Sequence, residues 1–218
     1  MTGVSRRAAL VTVVVLWAAT TALAVAAGAA AHGGSKQEAD VVGQGPSGSV
    51  VSEDGAKLVR TQDRLRVKLR MPTPAPGSYV YPGPNAFHPN GTTPGYPEVF
   101  TLWVFVFNYP DLCSAPCDGN DLGVSAPARG GAFGVDGLIA YKSKVRLAGE
   151  VTRHTTPFVG SSLLEPLTAE VHFAVAPHGK VDPANVENQL TKPVGSPPMW
   201  WLAFFLPGQD DAAEGDDD

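Results

Sequence analysis

The sequence predicts an all-β fold, a single-domain antiparallel β-sandwich that follows an N-terminal export signal or membrane-anchor helix. Residues 64–70 alternate between basic and apolar side chains without a fault, which is typical of a strand with one buried face. Glu98–Phe107 (EVFTLWVFVF) is β-branched and aromatic throughout most of its length, which favours a central strand buried on both faces. With 24 glycines and 20 prolines in 218 residues, many turns and few long helices are expected.

The first 31 residues have the three parts of an export signal. Arg6 and Arg7 precede an uncharged stretch over 8–31, which ends in three alanines before His32. Cleavage near Ala31 is the favoured interpretation, and the alternative is a retained anchor, since the stretch is long enough to cross a bilayer. The arginine pair is compatible with either the general secretory route or the twin-arginine route.

The remaining chain divides by composition into three parts. Residues 32–49 are polar and glycine-rich, which predicts a flexible linker. Residues 50–208 form the predicted sandwich domain. Residues 209–218 carry six acids and no base, and this charge repulsion predicts a disordered acidic tail.

Turn residues separate the segments in the domain that have strand character. Proline lacks the backbone N–H that a sheet ladder needs, so the proline-rich residues 71–97 predict a long loop instead. A short helical turn is expected over 183–190. The predicted strands are 64–70, 98–107, 137–142, 144–151, 168–176 and 199–206.

The proline-rich loop carries four aromatic side chains that are candidates for ligand binding. They are Tyr79, Tyr81, Phe87 and Tyr96. A loop of this length in a compact domain is unusual, and exposed rings on it would stack on sugars or bind a partner surface. The alternative is that the rings fold back and cover one end of the sheet.

The distribution of charge limits the possible partners. The formal net charge is −5, and the tail accounts for it, so the folded part is close to neutral. The four cations at 64, 66, 68 and 70 share one strand face; they are interpreted as a solubilising face, with an anionic surface partner as the alternative. Beyond these four residues the sequence has no basic stripe, so no nucleic-acid partner is expected.

The chain has two cysteines, Cys113 and Cys117, in a short loop with three aspartates nearby. Disulfides persist in exported proteins, so the sequence favours a structural disulfide. Two thiols do not complete a zinc site, and neighbouring acids disfavour a reactive thiolate. A metal ligand pair and a redox pair remain as alternatives.

Glu170, His172 and His178 are the candidate ligands for a divalent metal, copper or zinc. In a strand over 168–176, Glu170 and His172 share the face expected to meet solvent, and His178 follows in a turn. No cofactor is otherwise expected. The chain has no Gly-x-Ser-x-Gly, phosphate-binding glycine loop or His-Glu-x-x-His motif, so no catalytic residue is assigned and a non-enzymatic function is favoured.

Two segments resemble a group of uncharacterised secreted bacterial β-rich proteins. They are LWVFVFNYPDLCSAPC with the following DGNDLG, and AEVHFAVAPHGK. In that group an apolar strand runs into an Asn-x-Pro turn and a close cysteine pair, and a later strand ends in a His-Gly turn. The matching residues are Asn108, Pro110, Cys113, Cys117, Asp121, His178 and Gly179.

The resemblance covers about 57–206 and implies an exported sandwich, broadly like the chordin-type domain in layout, with no established activity. Members of the group often carry further cysteines near the C-terminus, and this chain has none there. The sequence thus predicts an exported, extracellular or envelope-associated binding or structural module with an envelope glycan or protein partner. The alternatives are a copper- or zinc-binding sandwich and a hydrolase with an unrecognised site.

Overall fold

The computed structural model describes residues 34–208 except Ala115 and Lys142. The predicted signal or anchor over 1–31 and the predicted acidic tail over 209–218 lie outside these residues. Within the described part of the chain, no helix combines the length and the hydropathy that a bilayer crossing needs.

The described residues contain nine strands and one α-helix, besides two short 3₁₀ helices at Pro110–Leu112 and Gly119–Asp121. The elements are β1 (Ser35–Val42), β2 (Val50–Arg60), β3 (Arg64–Pro72), β4 (Glu98–Phe107), β5 (Gly130–Ala140), β6 (Lys144–Thr152), β7 (Val159–Gly160), β8 (Glu170–Lys180), α1 (Val186–Thr191) and β9 (Trp201–Phe205).

All paired strands are antiparallel and form one continuous sheet in the order β6–β3–β2–β1–β9–β8–β4–β5–β7. The sheet curls towards a half-barrel, and β5 approaches β6 where Ala148 N donates to Asp136 Oδ2 at 2.9 Å. The prediction of antiparallel β structure is therefore confirmed. Two separate sheets are not seen, because the strands of the described chain join in a single hydrogen-bonded order.

The inner face of the curled sheet forms the main core. Strand alternation turns Leu65, Val67 and Leu69 of β3 inward, and they pack in one cluster with residues such as Phe100 and Phe173 from the opposite half of the sheet. Both halves of the sheet thus bury apolar area against each other, which is the dominant favourable term in folding. The outer face of β4, β8 and β9 has a smaller core of its own around Trp103, which loop segments cover.

The folded domain begins earlier than the sequence predicts. Residues 32–49 were expected to be a linker, yet β1 occupies Ser35–Val42 in the interior of the sheet, between β2 and β9. Polar side chains on β1 concealed its strand character, because only Gln37 and Val41 are fully buried along it. Five of the predicted strands match observed ones, and β5 begins at Gly130 rather than at 137.

Candidate functional site

A cleft of about 810 Å³ opens between the β1–β2 connection and the first part of the proline-rich loop. The described residues that line it carry no charged side chain. They are Gly43, Gln44, Gly48, Ser49, Val51, Pro72, Pro74, Gly77, Ser78, Tyr79, Val80 and Trp201. We call this the Tyr79 cleft. Its volume lies in the range of small-ligand sites, about 300–1,000 Å³.

A buried carboxylate holds the aromatic wall of the Tyr79 cleft in place. Glu98 begins β4 and is 1% exposed. Its two oxygens accept the hydroxyl of Tyr79 and the hydroxyl of Tyr81, the latter at 2.6 Å. The two rings stack with centroids 4.2 Å apart. Burial and the Glu98 carboxylate both raise the pKa of the Tyr79 hydroxyl, so it stays a hydrogen-bond donor and the ring keeps its position.

Trp201 supplies a hydrogen-bond donor to the Tyr79 cleft. Its ring is 4% exposed and meets Tyr79 edge-on, with centroids 5.1 Å apart. Trp103 and Trp200 donate their indole N–H groups to Thr101 Oγ1 and Val194 O. Among the described residues, the Trp201 Nε1–H has no such acceptor in hydrogen-bond reach, and no side-chain polar atom there is both buried and unbonded. The Trp201 N–H therefore faces the cleft as a donor open to a ligand.

The four loop aromatics predicted to bind a ligand have different surroundings. Tyr79 lines the cleft and Tyr81 supports it from behind. Phe87 lies instead against Phe158, with centroids 6.3 Å apart. Tyr96 is 51% exposed and contacts no other described ring. Tyr79 and Tyr81 thus cover one end of the curled sheet and form a cleft as they do so.

Phe87 helps to line a second, smaller cleft on the outer face of β4. It has a volume of about 380 Å³ and is mostly apolar. Its rings include Phe105, Phe158 and Trp200. Sequence reasoning missed this cleft because its walls combine β4 and β5 with three loop segments that are far apart in the sequence.

A chain of hydrogen bonds runs beneath the loop from α1 to β4. Asn188 donates to Asn185 Oδ1 at 2.7 Å, which directs the Asn185 amide N–H groups to Phe87 O and His88 Nδ1, both at 2.8 Å. His88 Nδ1 therefore accepts, and the proton on its Nε2 points to His178 Nδ1 at 2.9 Å. Each ring nitrogen in this chain then has one defined role.

This series of hydrogen bonds ends at Thr101. His178 Nε2 carries the remaining proton and donates it to Thr101 Oγ1 at 3.0 Å. A catalytic base would have to accept the threonine proton at that nitrogen. His178 is 0% exposed and Thr101 is 1% exposed, so substrate access is also closed. The arrangement stabilises the neutral histidine pair and ties the loop, β4, β8 and α1 together.

Burial keeps both histidines neutral. Desolvation lowers the pKa of His178 to about 3, and the neighbouring His88 acts in the same direction. Desolvation also lowers the pKa of His88, although the Asp182 carboxylate opposes this shift.

The predicted metal ligands Glu170, His172 and His178 do not converge. His172 Nε2 lies 2.6 Å from Glu170 Oε1, so these two residues do meet. His178 lies six residues beyond His172 on the extended strand β8, which separates the two by about 20 Å. Among the described residues, no group of three or more His, Cys, Asp or Glu side chains is arranged to hold a metal ion.

The face that carries Glu170 and His172 is also less exposed than predicted. Their side chains are 12% and 11% exposed. The His172 ring packs between Phe107 and Phe204, at centroid distances of 5.0 and 4.8 Å. The prediction of a solvated face is wrong, because β8 is an interior strand with neighbouring aromatic side chains on both of its faces.

Cys113 and Cys117 form a disulfide, as the sequence favoured. Neighbouring carboxylates have local roles: Asp118 accepts the Asn120 N–H at 2.7 Å, and Asp121 accepts the Asp118 N–H at 3.0 Å. Asn108 accepts from Leu164 N and donates to Arg129 O, both at 2.7 Å. The loop is thus fixed to its surroundings at its entry.

Replacing both Cys113 and Cys117 by serine is expected to lower the free energy of unfolding by about 2 kcal/mol or less, because the disulfide closes a loop of only a few residues. Urea unfolding of the oxidised protein and of the double variant measures this difference. Thiol titration of the denatured, unreduced protein should find no free thiol. Two reactive thiols would contradict the disulfide.

His178 and Gly179 also have structural roles in this chain. Gly179 has a φ of +68°, and a Cβ there would lie 2.8 Å from Thr93 O. Only glycine fits this conformation and contact without strain.

In comparisons with known proteins, no family model, curated protein or solved structure matches this chain.

Proposed function

We propose that the protein is an exported, non-enzymatic binding module that takes up a neutral envelope glycan in the Tyr79 cleft. In this proposal residues 1–31 direct export and the two halves of the curled sheet act as the layers of a sandwich. The observation that carries the proposal is the Trp201 Nε1–H, a hydrogen-bond donor that faces an uncharged cleft.

The ligand class follows from the walls of the cleft. Tyr79, Pro72 and Pro74 offer apolar surface, and the described lining has no charge to attract an ion. A sugar ring has an apolar face for the aromatic wall, and an N-acetyl group adds a carbonyl acceptor for the indole N–H. An N-acetylated amino sugar satisfies both features.

Trp201→Phe is expected to weaken binding of N-acetylglucosamine oligomers by about five- to tenfold, the value of one hydrogen bond. The phenylalanine keeps an aromatic ring and removes the donor. Titration calorimetry with the di-, tri- and tetrasaccharides on the exported protein measures the affinities.

Trp200→Phe is the matched control, because the Trp200 N–H is already bonded to Val194 O at 2.6 Å and does not line the Tyr79 cleft. Its sugar affinity should equal that of the parent. Absence of saturable binding in the parent protein, or equal losses in both variants, would overturn the proposal.

A further inference from the structure

The outer face of β1, β2, β3 and β6 gathers cations from four strands. Strand alternation and pairing put them side by side on the solvent face. We call this set the cationic face. Its cations are Lys36, Lys57, Arg64, Arg66, Lys68, Arg70, Lys144 and Arg146. The sequence alone showed only the four cations on β3.

Half of the cationic face is neutralised internally. Glu38 Oε1 lies 2.9 Å from Lys36 Nζ and 2.6 Å from Lys57 Nζ. Arg64 contacts Asp63 at 2.9 Å, and Glu150 lies 3.5 Å from Arg64 and 3.7 Å from Arg66. These carboxylates neutralise the cations on the part of the face nearer the β2–β3 turn.

The other end of the face keeps an excess of positive charge. Within the described part of the chain, no carboxylate forms an ion pair with Lys68, Arg70, Lys144 or Arg146. Asp136 and Asp54 line the shallow cleft at this end, and Asp40 accepts the Asp54 N–H at 3.0 Å. Asp136 accepts the N–H groups of Gly137 and Ala148, at 2.8 and 2.9 Å.

Register sets like charges directly opposite each other on this face. Arg70 pairs with Arg146, and Lys57 pairs with Lys68. Directly opposed side chains on a sheet have Cβ atoms about 5 Å apart, and like charges there are destabilising. This repulsion is relieved when an anionic partner neutralises the face. The whole chain has a net charge of −5, so the cations are concentrated here and are not a consequence of a basic composition.

We infer that the cationic face docks on an anionic phospholipid surface, with Lys68, Arg70, Lys144 and Arg146 as its principal contacts. The cations spread in two dimensions, about 20 Å along β3 and about 14 Å across four strands. An array that extends in two dimensions matches a lipid surface, whereas a linear polyanion fits a groove or a single stripe. Each cation near such a surface strengthens binding by about fivefold.

Vesicle co-sedimentation of the exported protein tests this inference. Equimolar phosphatidylglycerol and phosphatidylcholine vesicles should bind more protein than phosphatidylcholine vesicles, and high salt should abolish the difference. The double variant Arg70→Gln, Arg146→Gln should reduce the anionic-vesicle affinity about 25-fold. Both side chains are exposed, so the variant is expected to fold, and its circular dichroism spectrum checks this.

Arg129→Gln with Lys192→Gln is the matched control, because it removes the same charge from outside the four strands. It should bind like the parent. Equal affinities for anionic and neutral vesicles, or equal losses in the two double variants, would overturn the inference. Binding to soluble polyphosphate without binding to anionic vesicles would overturn it in favour of a linear polyanion.

Discussion

Replacing Arg60 by methionine is expected to lower the free energy of unfolding by about 3–5 kcal/mol, the largest single effect we anticipate in this protein. Arg60 is the last residue of β2, points inward and is 1% exposed. Its guanidinium donates to Gln37 Oε1 at 2.7 Å, Ala169 O at 2.8 Å and Pro166 O at 3.0 Å. Methionine fills a similar volume but leaves these buried acceptors without their donor.

The geometry explains why one side chain is expected to have such an effect. A guanidinium presents several donors in a rigid plane, and here they join β1, β2 and the segment that enters β8. Gln37 continues the connection, because its Nε2 donates to Leu206 O at 2.9 Å, just after β9. Arg60→Lys keeps the charge but cannot reach all acceptors, so an intermediate loss of about 2–3 kcal/mol is expected.

Denaturant unfolding measured for both variants provides the test. Arg66→Met is the control, since Arg66 lies on the neighbouring strand with a side chain that is 61% exposed. The free energy of unfolding of Arg66→Met should differ from that of the parent by no more than about 0.5 kcal/mol. A loss below about 1 kcal/mol for Arg60→Met would contradict the structural role given to Arg60.

Arg60 also shows where the sequence stops being informative. Ala56, Leu58 and Arg60 share one face of β2, but an arginine before a polar turn has the pattern of a solvated residue. Only the pairing of β2 with β1 and β3 fixes its side chain inside the core. Local alternation revealed β3, and a run of apolar residues revealed β4, because both signals lie within the strand itself.

The polar parts of the candidate site depend on tertiary neighbours in the same way. Tyr79 was predicted to be a candidate for ligand binding because a loop of this length is unusual in a compact domain, and exposed rings on it would stack on sugars or bind a partner surface. Glu98 gave no signal, because it begins an apolar strand and its partners arrive from a loop 17 and 19 residues earlier. The free N–H of Trp201 depends on which acceptors surround it, and the sequence of β9 does not specify them.

The expected metal cluster failed for a related reason. Placing Glu170, His172 and His178 on one strand is correct, but strand spacing separates the third residue from the first two. His178 meets His88 instead, 90 residues away in sequence. The proline-rich loop therefore provides both the aromatic wall of the Tyr79 cleft and the partner of the buried histidine.

This histidine pair is expected to make the free energy of unfolding sensitive to mild acid. We expect the free energy of unfolding to fall by about 2.5 kcal/mol between pH 7.5 and pH 4.5 through His178 alone. Its folded pKa of about 3 lies below its unfolded value of 6.5, so the unfolded state binds a proton that the folded state excludes. The contribution of His178 to the free energy of unfolding therefore has its full value above pH 7 and declines as the pH drops below 6.5. His88, whose pKa is also lowered, adds to the decline.

The His178→Gln variant separates this effect from other titrations. Glutamine removes the ionisable ring and retains polar atoms that can bond to Thr101 and His88. Denaturant unfolding is measured at half-unit pH steps. Between pH 6.5 and 4.5 the free energy of unfolding should depend less steeply on pH in the variant than in the parent, whatever the stability of the variant at pH 7.5. Glu38 and Asp63 also have lowered pKa values, but their protonation reduces stability only at lower pH, below about 4.5. The pH window thus identifies the histidines, and identical slopes in parent and variant would show that His178 is not the group that couples folding to pH.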